Sequence, residues 1–276
     1  MTAQAPSPDS FLSGQVGFVG PRRAVAMRAL DRLLDLELRL RRAPAALDRL
    51  ADAVPARDVL ALCVHRDSST RLDAISRELT STRHTLRPVF GRLGDGAMTG
   101  GKFENLNLLL DGAAPHNYDW LLVVDDDIVL PGRFVDRLLG LCERLDLALA
   151  QPAQTRASHA AWPVTRRRPG SLARETSFVE IGPVTAIRRD AAELLTPFPG
   201  LRFGWGLDLH WGALAREHGW RLGVLDALPV RHDESGVASG YRHAEAVDEA
   251  RAFLTGRPFV PAAEANATLA VHRRLR

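Results

Sequence analysis

Three consecutive carboxylates, Asp125, Asp126 and Asp127, stand at the end of the apolar run Trp120-Leu-Leu-Val-Val, the clearest strand signal in a chain of 276 residues. Bunched acids repel one another unless a cation sits among them. A hard divalent ion with oxygen ligands, Mn2+ or Mg2+, fits that need. It would bridge protein carboxylates to a substrate diphosphate and offset the charge that develops as a nucleoside diphosphate departs. Side chains alternate along a strand, so Asp125 and Asp127 are expected on one side and Asp126 on the other. The plainer reading is a turn or helix-cap cluster ahead of Pro131-Gly132.

Other chemistry-bearing residues lie far from this triplet in the chain. Of the 36 basic residues, Lys102 is the single lysine. It follows Gly100-Gly101, and glycines ahead of a helix N-terminus offer backbone N–H groups to an anion. Its compact ammonium would add a point charge for a phosphate or ribose, against the alternative of a solvated lysine on a loop. The nucleotide-binding pattern G-x-x-x-x-G-K-[ST] fails at Phe103. In Phe203-Gly-Trp-Gly-Leu-Asp208, glycines flank Trp205, leaving its ring free to stack on a sugar. Asp208 is either a general base or the cap of a helix expected over 208–218. His232 ends a long apolar stretch, and a lone histidine there is either structural or a ligand. Arg166, Arg167 and Arg168 read as a solvated charge run, with a grip on a diphosphate or an anionic acceptor as the alternative.

An apolar strand ending in D-x-D resembles the hallmark of GT-A fold glycosyltransferases, both family 2-like members and the β-1,4-galactosyltransferase-like group. The segment Lys102-Phe-Glu-Asn is similar to one that precedes the D-x-D strand in the latter. Gly204-Trp-Gly-Leu-Asp208 resembles their G-W-G…E-D segment, although Leu207 and Leu209 stand where those enzymes carry further acids. The resemblance spans roughly residues 57–235, with its segments in the family's order. It implies a mixed, mainly parallel sheet flanked by helices. It also implies a metal-dependent, hexosyltransferase-type enzyme that moves a sugar from a nucleotide-sugar donor to the hydroxyl of a carbohydrate or lipid-linked acceptor. On this resemblance Asp127 and His232 hold the metal. Lys102, Asp125, Asp126 and Gly182 face the donor, with Glu180 nearby and Asp125 on the ribose or the metal. Trp205 meets the acceptor and Asp208 is the base. A single base and one in-line displacement imply inversion at the anomeric carbon. Two rivals remain: a phosphohydrolase of the haloacid dehalogenase-like group with Asp125 as nucleophile, and a non-catalytic sugar- or nucleotide-binding module on the same fold.

The elements that must position these groups are legible in outline. Residues 1–20 read as a mobile arm. Residues 22–54 read as two helices broken at Pro44, packed on the main domain or lying as a basic amphipathic surface on a membrane or partner. From 58 to 151, strands at 58–65, 84–90, 120–130 and 146–151 alternate with helices at 71–79, 102–110 and 132–145, the pattern of a parallel sheet covered on both faces. The Arg-rich segment 151–170 reads as an irregular loop of the kind that forms lids. Residues 56–240 form the catalytic domain on this reading, and 241–276 a helical tail. Cys63 and Cys142 sit in apolar runs as reduced core residues, which suits the cytoplasm. No apolar run is long enough to span a membrane, and no signal peptide is evident. A net charge of +3 gives no argument for nucleic acid, while peripheral contact with the inner membrane face stays open.

Overall fold

In a computed structural model that describes residues 19–232 and 242–275, the chain forms one mixed sheet between two layers of helices. The arm expected over residues 1–20 falls, up to residue 18, outside the described residues. Two helices come first, α1 (Pro21–Leu40) and α2 (Ala43–Ala53), with Pro44 in the first turn of α2, where a missing N–H costs nothing. Strand β1 (Asp58–His65), helix α3 (Leu72–Thr80), strand β2 (Thr85–Arg92), helix α4 (Lys102–Asp111) and strand β3 (Trp120–Val124) follow the expected alternation. Next come β4 (Ile128–Val129), α5 (Phe134–Leu145), β5 (Leu147–Gln154), β6 (Ala173–Thr176), β7 (Val184–Arg188), α6 (Arg189–Leu195), α7 (Leu207–His218) and β8 (Arg221–His232). The chain closes with α8 (His243–Leu254), α9 (Ala262–Ala265) and β9 (Thr268–His272).

The strands lie in the order β2-β1-β3-β7-β5-β8-β6-β9, with β4 paired to the end of β8. Strands β1, β2, β3, β5, β8 and β9 point one way, and β4, β6 and β7 the other. Alternation along the central strands divides the core. Leu60, Leu62, Leu121 and Val123 face the layer of α4, α6, α7 and α8. Val59, Ala61, Trp120, Leu122 and Val124 face α2, α3 and α5. Every residue of β3 is buried, as expected of a strand covered on both faces. Cys63 and Cys142 are free and buried, and burial pushes both thiols up, out of the reactive range.

Three expectations need correction. The strand expected over 120–130 stops at Val124, because the triplet turns the chain, and it resumes as the two-residue β4. The tail is not purely helical: β9 pairs antiparallel with β6 and extends the main sheet. The segment 151–170 is no open lid. β5 continues through Gln154, and most side chains up to Thr165 are buried. Arg167, expected in solvent or on a ligand, is buried and bonded to Asp35, with Asp31 alongside, both on α1. The pairing supplies the countercharge that a buried guanidinium requires. Arg166 instead donates to the carbonyls of Arg156 and Ser158.

Candidate active site

One edge of the sheet gathers the candidates. Strands β1, β3, β5 and β8 all run toward it, so Arg66, Asp125, Gln154 and His232 stand at or just past their carboxyl ends, and β7, running the other way, starts there after Gly182. This is the edge at which open α/β sheets bind ligands. The small strand β4 does the finest positioning. Ile128 pairs with His232, so Asp127, one residue earlier, lies against the imidazole. Residues 105 positions apart in sequence thus meet, with Asp127 Oδ1 3.1 Å from His232 Nε2.

A second ion pair lies beside the first. Lys102 Nζ is 2.6 Å from Asp125 Oδ1 and donates to the carbonyl of Ile181 at 3.1 Å. Gly182 belongs to this contact for a steric reason: a Cβ there would come within 2.8 Å of Lys102 Nζ and 2.9 Å of Asp125 Oδ2. The helix start before Lys102 differs from expectation. The N–H of Gly101 is taken by Glu104 Oε2 at 2.6 Å, that of Gly100 by Asn105 Oδ1, and that of Lys102 by the carbonyl of Arg202. The backbone is therefore no open anion cradle, and the positive group on offer is the ammonium.

The alternation expected along the triplet also fails, because the triplet is a turn rather than a strand. Asp126 and Asp127, not Asp125 and Asp127, share a partner. Arg66 reaches Asp126 Oδ1 at 3.0 Å and Asp127 Oδ2 at 3.1 Å, and its N–H reaches Asp126 Oδ2 at 2.8 Å. Ser69 Oγ donates to the Asp126 carbonyl, and Arg71 to that of Asp127. Asp126, expected to face the donor, is buried and occupied in holding the β1–α3 loop to the turn. Sequence reading passed over Arg66, although a basic residue immediately after an apolar strand of a parallel sheet is a usable signal.

Behind these pairs lie two buried carboxyls, Asp208 and Glu180. Asp208 sits in the first turn of α7, with Gly206 rather than itself as the cap. Burial pushes its pKa to about 7, although the N–H of Leu209 stabilises the charged form. Glu180 is pushed to about 8, first by burial and then by the charge of Asp208, while Thr165, His232 and Lys102 pull it down. Gln154, at the end of β5, donates to Glu180 Oε2 at 2.8 Å and so fixes this carboxyl at the same sheet edge. His232 is raised: burial alone would lower it, but the Asp127 hydrogen bond and the charges of Asp127, Asp125 and Glu180 outweigh burial.

Trp205 is half-buried beside the core, its ring centroid 5.6 Å from that of His243 on α8. Gly204 and Gly206 both adopt positive φ, 77° and 83°, which a side chain would strain, and a Cβ at Gly204 would strike the Phe103 ring. The loop is tied from behind by Glu249 of α8, whose carboxylate accepts the N–H groups of Arg202, Phe203 and Gly204 at 2.6, 2.9 and 3.0 Å. Nothing in the sequence marked that residue.

The chemistry of the front pair fits a divalent cation. Asp127 Oδ1 and His232 Nε2, hydrogen-bonded at 3.1 Å, supply one oxygen and one imidazole nitrogen that a cation would hold once the shared proton leaves. Among the described residues no group of three acidic, histidine or cysteine side chains gathers to complete such a shell. Substrate oxygens and water would fill the remaining positions, as is common for Mg2+ at phosphate sites.

No family model matches the chain, and neither does any curated protein. Among solved structures it is similar to mannosyltransferase PcManGT from Pyrobaculum calidifontis, solved with GDP-Man and Mn2+, at 14% identity over 80% of this chain and 70% of that one, with a TM-score of 0.48. A mycobacterial protein aligns at 13% identity over 77% of this chain and 79% of its own, with a TM-score of 0.49. The catalytic domain of Drosophila β1,4-galactosyltransferase 7, solved with xylobiose, aligns at 13% identity over 70% and 80%, with a TM-score of 0.44.

Proposed function

We propose that the chain is a metal-dependent glycosyltransferase of the GT-A type that uses a nucleotide-sugar donor. The observation that carries this reading is the convergence of Asp127 and His232, brought together by the β4–β8 pairing, next to the Lys102–Asp125 pair. Asp127 and His232 would hold Mn2+ or Mg2+. The bound cation supplies charge compensation to a departing diphosphate.

The chain's own groups account for the rest. Lys102 compensates charge on the donor phosphates, and Asp125, released in part from Lys102 by that phosphate, accepts from the ribose. Gly182 faces the donor on this reading and lets Lys102 and Asp125 approach, where any side chain would crowd both. Trp205 offers a face to the acceptor sugar. Asp208 takes the acceptor hydroxyl proton, and its raised pKa suits a base that must release that proton again near neutrality. One base acting on an in-line displacement gives inversion. The acceptor is a carbohydrate or lipid-linked hydroxyl.

The test is turnover of a nucleotide-sugar panel with Mn2+, in wild type and in Asp127→Ala. Release of nucleoside diphosphate by wild type and its loss in the variant are expected. Equal release by both would end the proposal, and a phosphoenzyme trapped on Asp125 would replace it with the phosphohydrolase reading. Donor binding without turnover in either protein would leave a binding module.

A further inference from the structure

Helix α1 packs against the domain with all three of its acids bonded to it. Asp31 is buried and accepts the N–H groups of Arg156 and Ala157, Asp35 meets Arg167, and Glu37 accepts from Gly170 N and Arg41. Leu34 is the buried centre of the inner face, flanked by half-buried Met27, Leu30 and Leu38.

The opposite face has a different composition. Positions 25, 29, 33, 36 and 40 recur at helical spacing and form one outward stripe of Val, Ala, Leu, Leu and Leu. Four of these side chains, Val25 (67% exposed), Leu33 (63%), Leu36 (50%) and Leu40 (76%), are among the nine large apolar side chains most exposed in the described residues. Exposed Arg32 and Arg39 border the stripe on one side, and exposed Arg22 lies in line with it at the start of the helix; the flanking acids Asp35 and Glu37 are already engaged by Arg167 and by Gly170 N and Arg41. By helical spacing the three acids of α1 fall on its flanks and rear. The helix therefore presents an apolar band with guanidinium groups along one edge and at its N-terminal end, while its flanking carboxylates are already paired.

We infer that this face of α1 docks on the surface of an anionic phospholipid bilayer, with the apolar band entering the headgroup boundary and the arginines meeting lipid phosphates. Charge decides between the occupants. A second copy of the chain would set this net-positive face against itself, with the flanking Asp35 and Glu37 already taken up by Arg167, Gly170 and Arg41. A nucleic acid would satisfy the arginines but leave the leucines without apolar cover. An anionic bilayer satisfies both halves of the pattern. No described helix is long and apolar enough to cross a membrane, so the contact is peripheral. The inference stands on α1 alone and is independent of the chemistry proposed for the active site.

The experiment is co-sedimentation of the full chain with large vesicles of phosphatidylcholine, alone or mixed with phosphatidylglycerol. Wild type is expected to pellet with the anionic vesicles, at least about tenfold better than with the neutral ones, and to be released by added salt. Leu36→Glu with Leu40→Glu should abolish binding, and Arg32→Ser with Arg39→Ser should weaken it on the order of tenfold. These side chains are exposed, so circular dichroism of the variants should match wild type. Absence of binding by wild type, equal binding to neutral vesicles, or binding unchanged in the leucine variant would each overturn the inference. So would a concentration-dependent dimer in sedimentation velocity that the leucine variant dissolves, since that assigns the stripe to a second copy. Vesicle binding with no sugar transfer would leave the inference intact and fail only the catalytic proposal.

Discussion

The acids of this site fall into two groups that the fold treats in opposite ways. Asp125, Asp126 and Asp127 sit at the mouth of the sheet edge, and each has a cationic or imidazole partner within 3.1 Å: Lys102, Arg66 and His232. Glu180 and Asp208 sit behind them, buried, with neutral partners and pKa values raised to about 8 and about 7. A carboxylate paired with a cation at a sheet edge is built to place charge against a ligand. A carboxyl in an apolar setting near neutrality is built to exchange a proton. On the proposed reading the turn binds metal and donor, while Asp208 at the start of α7 supplies the proton chemistry.

The sharpest way to break this division is to remove the front group at its centre. Asp127→Ala leaves His232 and Arg66 without their shared partner and removes the proposed metal ligand. It should lower metal-dependent turnover by roughly 1,000-fold or more, and Mn2+ binding by calorimetry should vanish. Retained Mn2+ binding would show that the triplet is only a structural turn. The rear group is tested by Asp208→Asn. Transfer should fall by roughly 100- to 10,000-fold, with Mn2+ and donor binding kept, and the wild-type rate should rise with pH around 7 as the base loses its proton.

The same substitution has a second, opposite signature in stability. A carboxyl whose folded pKa exceeds its unfolded value holds its proton more tightly in the folded state. Its contribution favours folding at low pH and is lost as pH climbs from the unfolded value through the folded one. For Asp208 that window runs from 3.8 to about 7, and for Glu180 from 4.5 to about 8. Wild-type stability should therefore fall across this range by up to a few kcal/mol. Asp208→Asn should flatten part of the fall, and denaturant melts at pH 5 and pH 8 measure the difference. A front-group variant should leave this slope in place.

The division was half legible in the chain. Alternating apolar runs marked β1, β2, β3, α3, α4 and α5 within a few residues, because a strand buried on both faces must be apolar along its length. Asp125, Asp127 and His232 could be nominated from residue type and resemblance. Their meeting could not be read, because it depends on β4, two residues long with no periodicity to detect. The side on which Asp126 lies could not be read for a related reason: alternation holds only while the chain stays extended, and the chain turns after Val124. Arg167 was misread because the segment around it looks polar, whereas its partners Asp31 and Asp35 lie on a helix more than 130 positions earlier. The strand β9 escaped as an edge element, its apolar content too low to stand out from a tail.

Smaller effects sharpen the comparison. Lys102→Ala should weaken nucleoside diphosphate binding by roughly tenfold without altering Mn2+ affinity as much as Asp127→Ala does. Lys102→Arg should not restore it, since the ammonium packs closely against Gly182 and Asp125 and a planar guanidinium is bulkier. Restoration by arginine would argue for a simple charge requirement.

The smallest effect concerns a residue in neither group. Glu249 lies on α8, yet its carboxylate holds the three N–H groups that lead into Trp205. A glutamine has one acceptor oxygen where the glutamate has two, so Glu249→Gln leaves at least one of those donors without its partner and loosens the loop. If Trp205 meets the acceptor, the loosening should appear as a KM for acceptor raised several-fold, about 1 kcal/mol, with kcat and donor hydrolysis nearly unchanged. A loop that only braces the fold would instead lower stability and every kinetic constant together. Equal shifts in donor and acceptor KM would therefore move Trp205 out of the acceptor site and make the Gly-Trp-Gly segment a strut between α4 and α8, which its contacts with Phe103 on one side and Glu249 on the other would equally allow.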